Sequence, residues 1–400
     1  MMSPSDGPEP WRRALQEIWE PFRRGLIVPS MLSTIICLAC AAVYLVSLFG
    51  LVNEELILRQ GDRILAQKGT DYDFFVTREA MRLQRASIDT PMLVLTGAST
   101  TRCTLLRPEL EEAFRARSEQ PPRLFKLCAN NQPVLGSVAW WDAIPDGARG
   151  YLVVGVSPGT LRHGQARLVE DYLGGRFGLN LPLVTEALAH EGRTAPLQAG
   201  FYGVDHARFL LSRAMLPLKR TGQQFKPVKE VEALTHGKEP LGPDELKALK
   251  KRASGEMASM QPEDTAEALR GLREGIEKLR RRTSLKIVLF ETPVTSSFVD
   301  EGQLRPLFQR VNAQVAELAG QLGVTYMNVN TELAIPESAF YDMVHLRDPE
   351  WTSRCAGRVV DRVLEGGANE GVGAVKAQPV EPVARRQVRR TRMPGGRVDS

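Results

Sequence analysis

Between Arg24 and Glu54 the chain carries no charged residue. Residues 25–52 read GLIVPSMLSTIICLACAAVYLVSLFGLV, which exceeds the roughly 20 residues that a helix needs to cross the hydrocarbon layer of a bilayer. The flanks are asymmetric: Arg12, Arg13, Arg23 and Arg24 precede the run, and Glu54 and Glu55 follow it. By the positive-inside rule, residues 1–24 stay in the cytoplasm, 25–53 form one transmembrane helix, and the rest is exported. The expectation is a single-pass cell (inner) membrane protein whose main domain is extracytoplasmic, or periplasmic. A cleaved signal peptide would have a shorter apolar core of about 7–15 residues and a small-residue cleavage site, and no such site closes this run. The stretch Cys37-Leu38-Ala39-Cys40 is a poor lipoprotein site, because Cys37 stands where a branched apolar residue belongs and apolar sequence continues beyond Cys40.

The remaining length suits one large α/β domain with attachments. The formal net charge is +5, of which residues 366–400 contribute +4 through Lys376 and six arginines against three acids. This tail has few aromatics and no nucleic-acid motif, and it is expected to be a solvated, disordered extension. Cys103, Cys128 and Cys355 are scattered without C-x-x-C or Cys/His spacing, so no metal site is implied. Buried free thiols are favoured over a disulfide between two of the three, and the sequence does not choose a pair.

After a helical connector over residues 54–90, apolar runs of strand type alternate with helical sequence. Strands are expected at 92–96, 124–129, 151–156, 285–290 and 324–329, with a last helix at about 349–364. A long helical insert at about 160–283 interrupts the alternation, ending in a helix with Leu269, Leu272, Ile276 and Leu279 on one face. This pattern predicts an α/β fold with a mostly parallel sheet sandwiched by helices, covering residues 91–365.

In such a sheet, functional groups gather at the carboxyl ends of strands. The first strand ends in Gly97-Ala98-Ser99, where a glycine permits a sharp turn and a following helix aims free N–H groups at the hydroxyl. Ser99 is therefore a candidate nucleophile, or else a simple helix cap. Near the other end, Asp342-Met343-Val344-His345 precedes the last helix. An aspartate three residues before a histidine can hold one ring nitrogen and leave the other to accept a serine proton. His163, His190, His206 and His236 lie in the insert without ligand spacing, and Trp140-Trp141 read as core packing rather than a sugar platform.

The blocks Leu93-Val94-Leu95-Thr96-Gly97-Ala98-Ser99 and Asp342-Met343-Val344-His345-Leu346 resemble the first and last blocks of the SGNH/GDSL hydrolase superfamily. Ile287-Val288-Leu289-Phe290-Glu291-Thr292-Pro293-Val294 is similar to that family's late strand and proline loop. The resemblance implies a three-layer, flavodoxin-like sandwich and an acyl-enzyme formed on Ser99, with His345 as base and Asp342 orienting it, and no metal or organic cofactor. The middle blocks depart from the pattern. Asn130-Asn131 stands where the family has an oxyanion-hole glycine, and Ser157 where it has an asparagine. The implied oxyanion donors are Ser99, Asn131 and one of Asn130 or Ser157.

An anchored, exported, helix-interrupted domain of this kind is similar to the teichoic-acid D-alanyl-transfer and exopolysaccharide O-acetylation proteins. That likeness implies acyl transfer to or from a cell-envelope polysaccharide, with a membrane-bound O-acyltransferase as partner. The rival expectation, drawn from the altered middle blocks, is a catalytically degenerate module that binds glycan or assembles a membrane complex.

Overall fold

The computed structural model describes residues 31–365 except 197, 215 and 217–225. The arginines ahead of the apolar run and the basic tail over 366–400 lie outside the described residues. The apolar run forms a helix over Met31–Leu51 that is long and apolar enough to cross a membrane, and most of its surface is uncovered by protein. Asn53 then caps the next helix, Glu54–Ile64, by accepting a hydrogen bond from Leu56 N at 2.9 Å.

Five strands form one parallel sheet: β1 (Met92–Gly97), β2 (Arg123–Cys128), β3 (Arg149–Val156), β4 (Ser284–Glu291) and β5 (Thr325–Asn328). Their spatial order is β2-β1-β3-β4-β5. β1 to β4 are largely buried on both faces, as a helix-covered parallel sheet requires, while the edge strand β5 buries only Met327. Alternate residues separate the two faces. Val94, Phe125, Leu152, Val154 and Ile287 pack under one helical layer, while Leu93, Leu95, Leu124, Val153 and Val288 pack under the other. The second layer is built from Arg107–Arg117 and Pro349–Glu365, whose Leu110, Phe114, Val359 and Val360 are buried. Order in the sheet reverses between β1 and β3, which opens a crevice beyond their carboxyl ends.

Two expectations are corrected. The segment expected to be a connector is two packed helices, Glu54–Ile64 and Tyr72–Gln84, and the second buries Phe74, Phe75, Met81 and Leu83 beside β2. Its apolar spacing is that of a covering helix, so it belongs to the core. The expected insert is not continuously helical. Its final helix, Pro262–Arg282, is the β3–β4 crossover and buries Leu272, Ile276 and Leu279 against the sheet. Between Ala207–Leu211 and Pro243–Ala258, residues 226–242 run without regular secondary structure.

Candidate active site

β1 ends at Gly97 with φ +151°, a backbone conformation that side chains rarely adopt. A Cβ there, or on Gly155 of β3, would collide with the Thr101 side chain. These two glycines let the helix Ser99–Thr104 settle onto the ends of β1 and β3. Its N-cap is Ala98, which makes no side-chain cap bond, so the Ser99 hydroxyl is not spent as a cap. It points instead at His345: Ser99 Oγ and His345 Nε2 lie 2.9 Å apart.

The histidine arrives on a tight loop before the last helix, closed by the bridge between Phe340 and Leu346 and by Tyr341 N donating to His345 O at 2.8 Å. Asp342 is the centre of that loop. Its Oδ1 accepts from Val344 N at 2.8 Å and His345 N at 2.9 Å, while Oδ2 lies 2.7 Å from His345 Nδ1. An ionised carboxylate only accepts, so Nδ1 carries the proton and Nε2 is the acceptor facing the serine hydroxyl. Burial alone would push the Asp342 carboxyl up. The bonds from His345 and from the backbone N–H groups of Val344 and His345 outweigh that and hold it below the ordinary carboxylate range. The structure therefore brings together Ser99, His345 and Asp342 as a continuous hydrogen-bonded series.

The remaining expected site residues are placed differently. Asn131 has φ +48°, the left-handed conformation that asparagine tolerates better than most residues. Asn130 is held from two sides, its side-chain oxygen accepting from Arg102 at 3.4 Å and its carbonyl from Arg176 at 2.8 Å. Ser157 forms a capping box: its Oγ accepts from Thr160 N at 3.3 Å and its own N–H donates to Thr160 Oγ1 at 3.0 Å. The Ser157 N–H is thus committed to the start of a short helix, and only its hydroxyl proton remains for other uses.

Sequence reasoning missed the residues that hold the loop. The irregular stretch 226–242 crosses from the helices after the apolar run to the Asp342–His345 loop. Val231 N donates to Gly69 O, Gly237 N to Arg347 O and Leu241 N to Tyr341 O, all at 2.8–2.9 Å. The Thr235 hydroxyl donates to Leu346 O. From the other side Thr295 N donates to Met343 O at 2.9 Å. Arg102, one turn after Ser99 and fully buried, places its guanidinium 3.1 Å from the Tyr72 ring centroid and donates to Val231 O at 3.2 Å. Backbone partners leave no side-chain pattern in a sequence, so only Arg102, close behind the candidate nucleophile, was open to suspicion.

Outside this series, Trp140 and Trp141 are buried in the core, and Trp141 Nε1 donates to Thr96 Oγ1 at 3.4 Å. All five cysteines are free thiols. Burial pushes Cys128 and Cys355 up to about 12, so neither is a thiolate near neutral pH. A cavity of about 480 Å³ opens at the start of β2, lined by Arg78, Glu79, Arg107, Arg123 and Glu230, at the strand end away from the serine.

No family model and no curated protein matches the chain. Among solved structures it is similar to phospholipase A1 from Streptomyces albidoflavus NA297, at 9% identity and a TM-score of 0.34, covering 70% of this chain and 100% of that one. It is also similar to the extracellular lipase of Streptomyces rimosus, at 9% identity and a TM-score of 0.31, covering 69% and 99% respectively.

Proposed function

We propose that this chain is an SGNH-like serine acyl-ester enzyme, held at the membrane by Met31–Leu51, with Ser99 as nucleophile, His345 as base and Asp342 as the residue that orients it. One observation carries the reading: Asp342 Oδ2, His345 Nδ1, His345 Nε2 and Ser99 Oγ follow one another at 2.7 and 2.9 Å. In the forward step Ser99 Oγ attacks the ester carbonyl carbon while its proton passes to His345 Nε2. The imidazolium that forms is stabilised by Asp342 and then protonates the leaving alkoxide. An acyl-enzyme remains. Water, or an acceptor hydroxyl deprotonated by the same nitrogen, attacks it and frees Ser99. The oxyanion is met by the N–H of Ser99 at its helix start, with the N–H of Asn131 presented by its left-handed backbone.

The finer reading is acyl transfer to or from a cell-envelope polysaccharide, in concert with a membrane-bound O-acyltransferase, with the domain on the extracytoplasmic side. The charge asymmetry about the apolar run supports the orientation, and the resemblance to D-alanyl-transfer and O-acetylation proteins supports the acceptor. The competing idea, a degenerate binding module drawn from the altered middle blocks, would gain if serine and imidazole could not approach each other. At 2.9 Å they do. The test is exposure of membranes containing the full chain to a fluorophosphonate ester. The proposal expects one covalent adduct, on Ser99, that disappears in Ser99→Ala. An adduct that persists in that variant, or none in the wild type, rules the mechanism out.

A further inference from the structure

The helix Met31–Leu51 would extend about 32 Å, close to the thickness of about 30 Å of the hydrocarbon layer. The end of the apolar run that leads into the domain is not bare. Leu48 and Val52, one turn apart, are buried against the domain, and Tyr44 and Phe49 pack beside them. The partner is the part of the insert that holds the short helices Tyr202–Asp205 and Ala207–Leu211. The Tyr44 hydroxyl donates to Ala214 O. Gly203 lies so close to the Phe49 backbone that any side chain there would strike its carbonyl.

That segment turns apolar groups outward where it meets the helix. Outside Met31–Leu51, the large apolar side chains that stand exposed among the described residues are Ile88, Phe201, Leu211 and Val231. Two of the four bracket the helices Tyr202–Asp205 and Ala207–Leu211 that contact Met31–Leu51: Phe201 at 68% and Leu211 at 53% exposure. Between them Arg208 is also exposed, an apolar stem with a cation suited to lipid phosphates. Carboxylates also border the segment, each with partners: Asp205 accepts from the N–H groups of Ala199 and Gly200 at 2.6 and 3.2 Å, and Glu54 and Glu55 pair with Arg85 at 3.0 and 2.8 Å. The segment is also rooted in the domain. Tyr202 donates to Gly178 O at 2.8 Å, and Arg213 pairs with Asp71 at 3.1 Å.

We propose that residues 201–211 are a second membrane-contacting element, in which Phe201 and Leu211 insert at the boundary between headgroups and acyl chains while Arg208 meets the phosphates. The inference rests on reading Met31–Leu51 as a span and adds to it a fixed seat for the domain on the bilayer. The seat reaches the catalytic edge through ion pairs and hydrogen bonds: Arg176 pairs with Asp73 at 3.1 Å and donates to Asn130 O at 2.8 Å, two residues from the Arg213–Asp71 contact. The domain is thus not a tethered body free to tumble, and the Asn130-Asn131 turn sits on the side linked to the lipid surface.

The experiment reconstitutes the full chain into phosphatidylcholine–phosphatidylglycerol vesicles that contain lipids spin-labelled near the headgroup or deep in the acyl chain. In the wild type, bimane on Cys37 and Cys40 reports on the span, since both are exposed on the apolar helix. A Cys37→Ala/Cys40→Ala background then carries Phe201→Cys, Leu211→Cys or, for reference, Ile88→Cys. The expected result is quenching of the span probes by deep labels, and quenching of the Phe201→Cys and Leu211→Cys probes by shallow labels several-fold above the Ile88→Cys probe. Quenched span probes with the two segment probes no more quenched than Ile88→Cys overturn the second element alone and leave the span intact. Unquenched span probes remove the span reading and this inference with it.

Discussion

Lys126 Nζ lies 3.1 Å from Glu232 Oε2, although 106 residues separate them and the lysine side chain is only 2% exposed. The same ammonium donates to Arg102 O at 3.1 Å, within the helix that begins at Ser99. One buried cation on β2 therefore ties the Ser99 helix to the stretch that continues to the His345 loop. Glu232 is further held by Arg107 Nε at 3.2 Å.

Removing one member of a buried pair leaves an uncompensated charge, which costs about 3–5 kcal/mol. Glu232→Ala is expected to lie near the lower end of that range, because the glutamate is part-exposed and Arg107 keeps Glu79 as a partner at 2.7 Å. The expected readout is a clear fall in Tm with a drop in kcat, and recovery of most of the Tm in Glu232→Ala/Lys126→Met. Thermal melts and ester turnover of purified protein decide it. An unchanged Tm in Glu232→Ala would show that the pair does not hold the loop.

Asp342→Asn keeps an acceptor for the two loop N–H groups, so the fold should persist, but it no longer fixes the ring proton on Nδ1. Loss of that orienting charge in a serine triad costs on the order of 10⁴ in kcat. The sign of the pH effect follows from the lowered carboxyl. A depressed folded pKa gives stability that is fully present above the unfolded value of about 3.9 and is lost as pH falls through the lower folded one. Loop stability from this group therefore lasts down to about pH 4. Melts of wild type and Asp342→Asn at stepped pH check it: the gap between the two should narrow only below that point.

Much of the sheet was readable because a buried parallel strand is a short apolar run and a crossover helix has a 3.6-residue period. Ser99, Asp342 and His345 could be singled out as candidates because each stands at the end of such an element: Ser99 after β1, and Asp342 and His345 just ahead of the last helix. What could not be read is what lacks periodicity. The stretch 226–242 acts through Val231 N, Gly237 N and Leu241 N, groups that every residue but proline possesses. Lys126 and Glu232 look like surface charges until folding pairs them. The helix Tyr72–Gln84 mixes Phe74, Phe75 and Met81 with charges, and adjacency to the apolar run disguised it as a spacer.

Gly97 tests how the turn after β1 positions Ser99. At φ +151° an alanine is strained whatever the space, and its Cβ would meet Thr101 in the first turn of the serine helix. Relief requires that helix to shift, and a displacement of about 1 Å at reacting atoms can cost about 10²-fold in rate. Gly97→Ala is expected to lower kcat by about that factor and to destabilise by about 1–3 kcal/mol. Fluorophosphonate labelling rates check the first part, since they report Ser99 reactivity without substrate binding. A wild-type labelling rate would mean that the turn does not set the position of Ser99.

His206, in the segment packed against Met31–Leu51, gives a second pH-dependent outcome. It is buried, its ring 4.4 Å from that of Tyr202, and burial pushes it down from 6.5 to about 4 despite the nearby Asp205. The native protein therefore resists a proton that the unfolded chain accepts. As pH falls below about 6.5 the unfolded state gains protons and stability declines, and the decline ends near pH 4, where the native ring charges too. The full difference is about 3 kcal/mol. His206→Phe, which keeps a ring beside Tyr202, is expected to flatten the fall in Tm between those limits while leaving melts near pH 8 close to wild type. Because residues 201–211 sit against the helix Met31–Leu51, loss of their packing on acidification should also be visible as increased mobility of a probe at Phe201→Cys before the rest of the domain unfolds. A Tm profile in His206→Phe that still falls as steeply as the wild type's would place the acid sensitivity in another group.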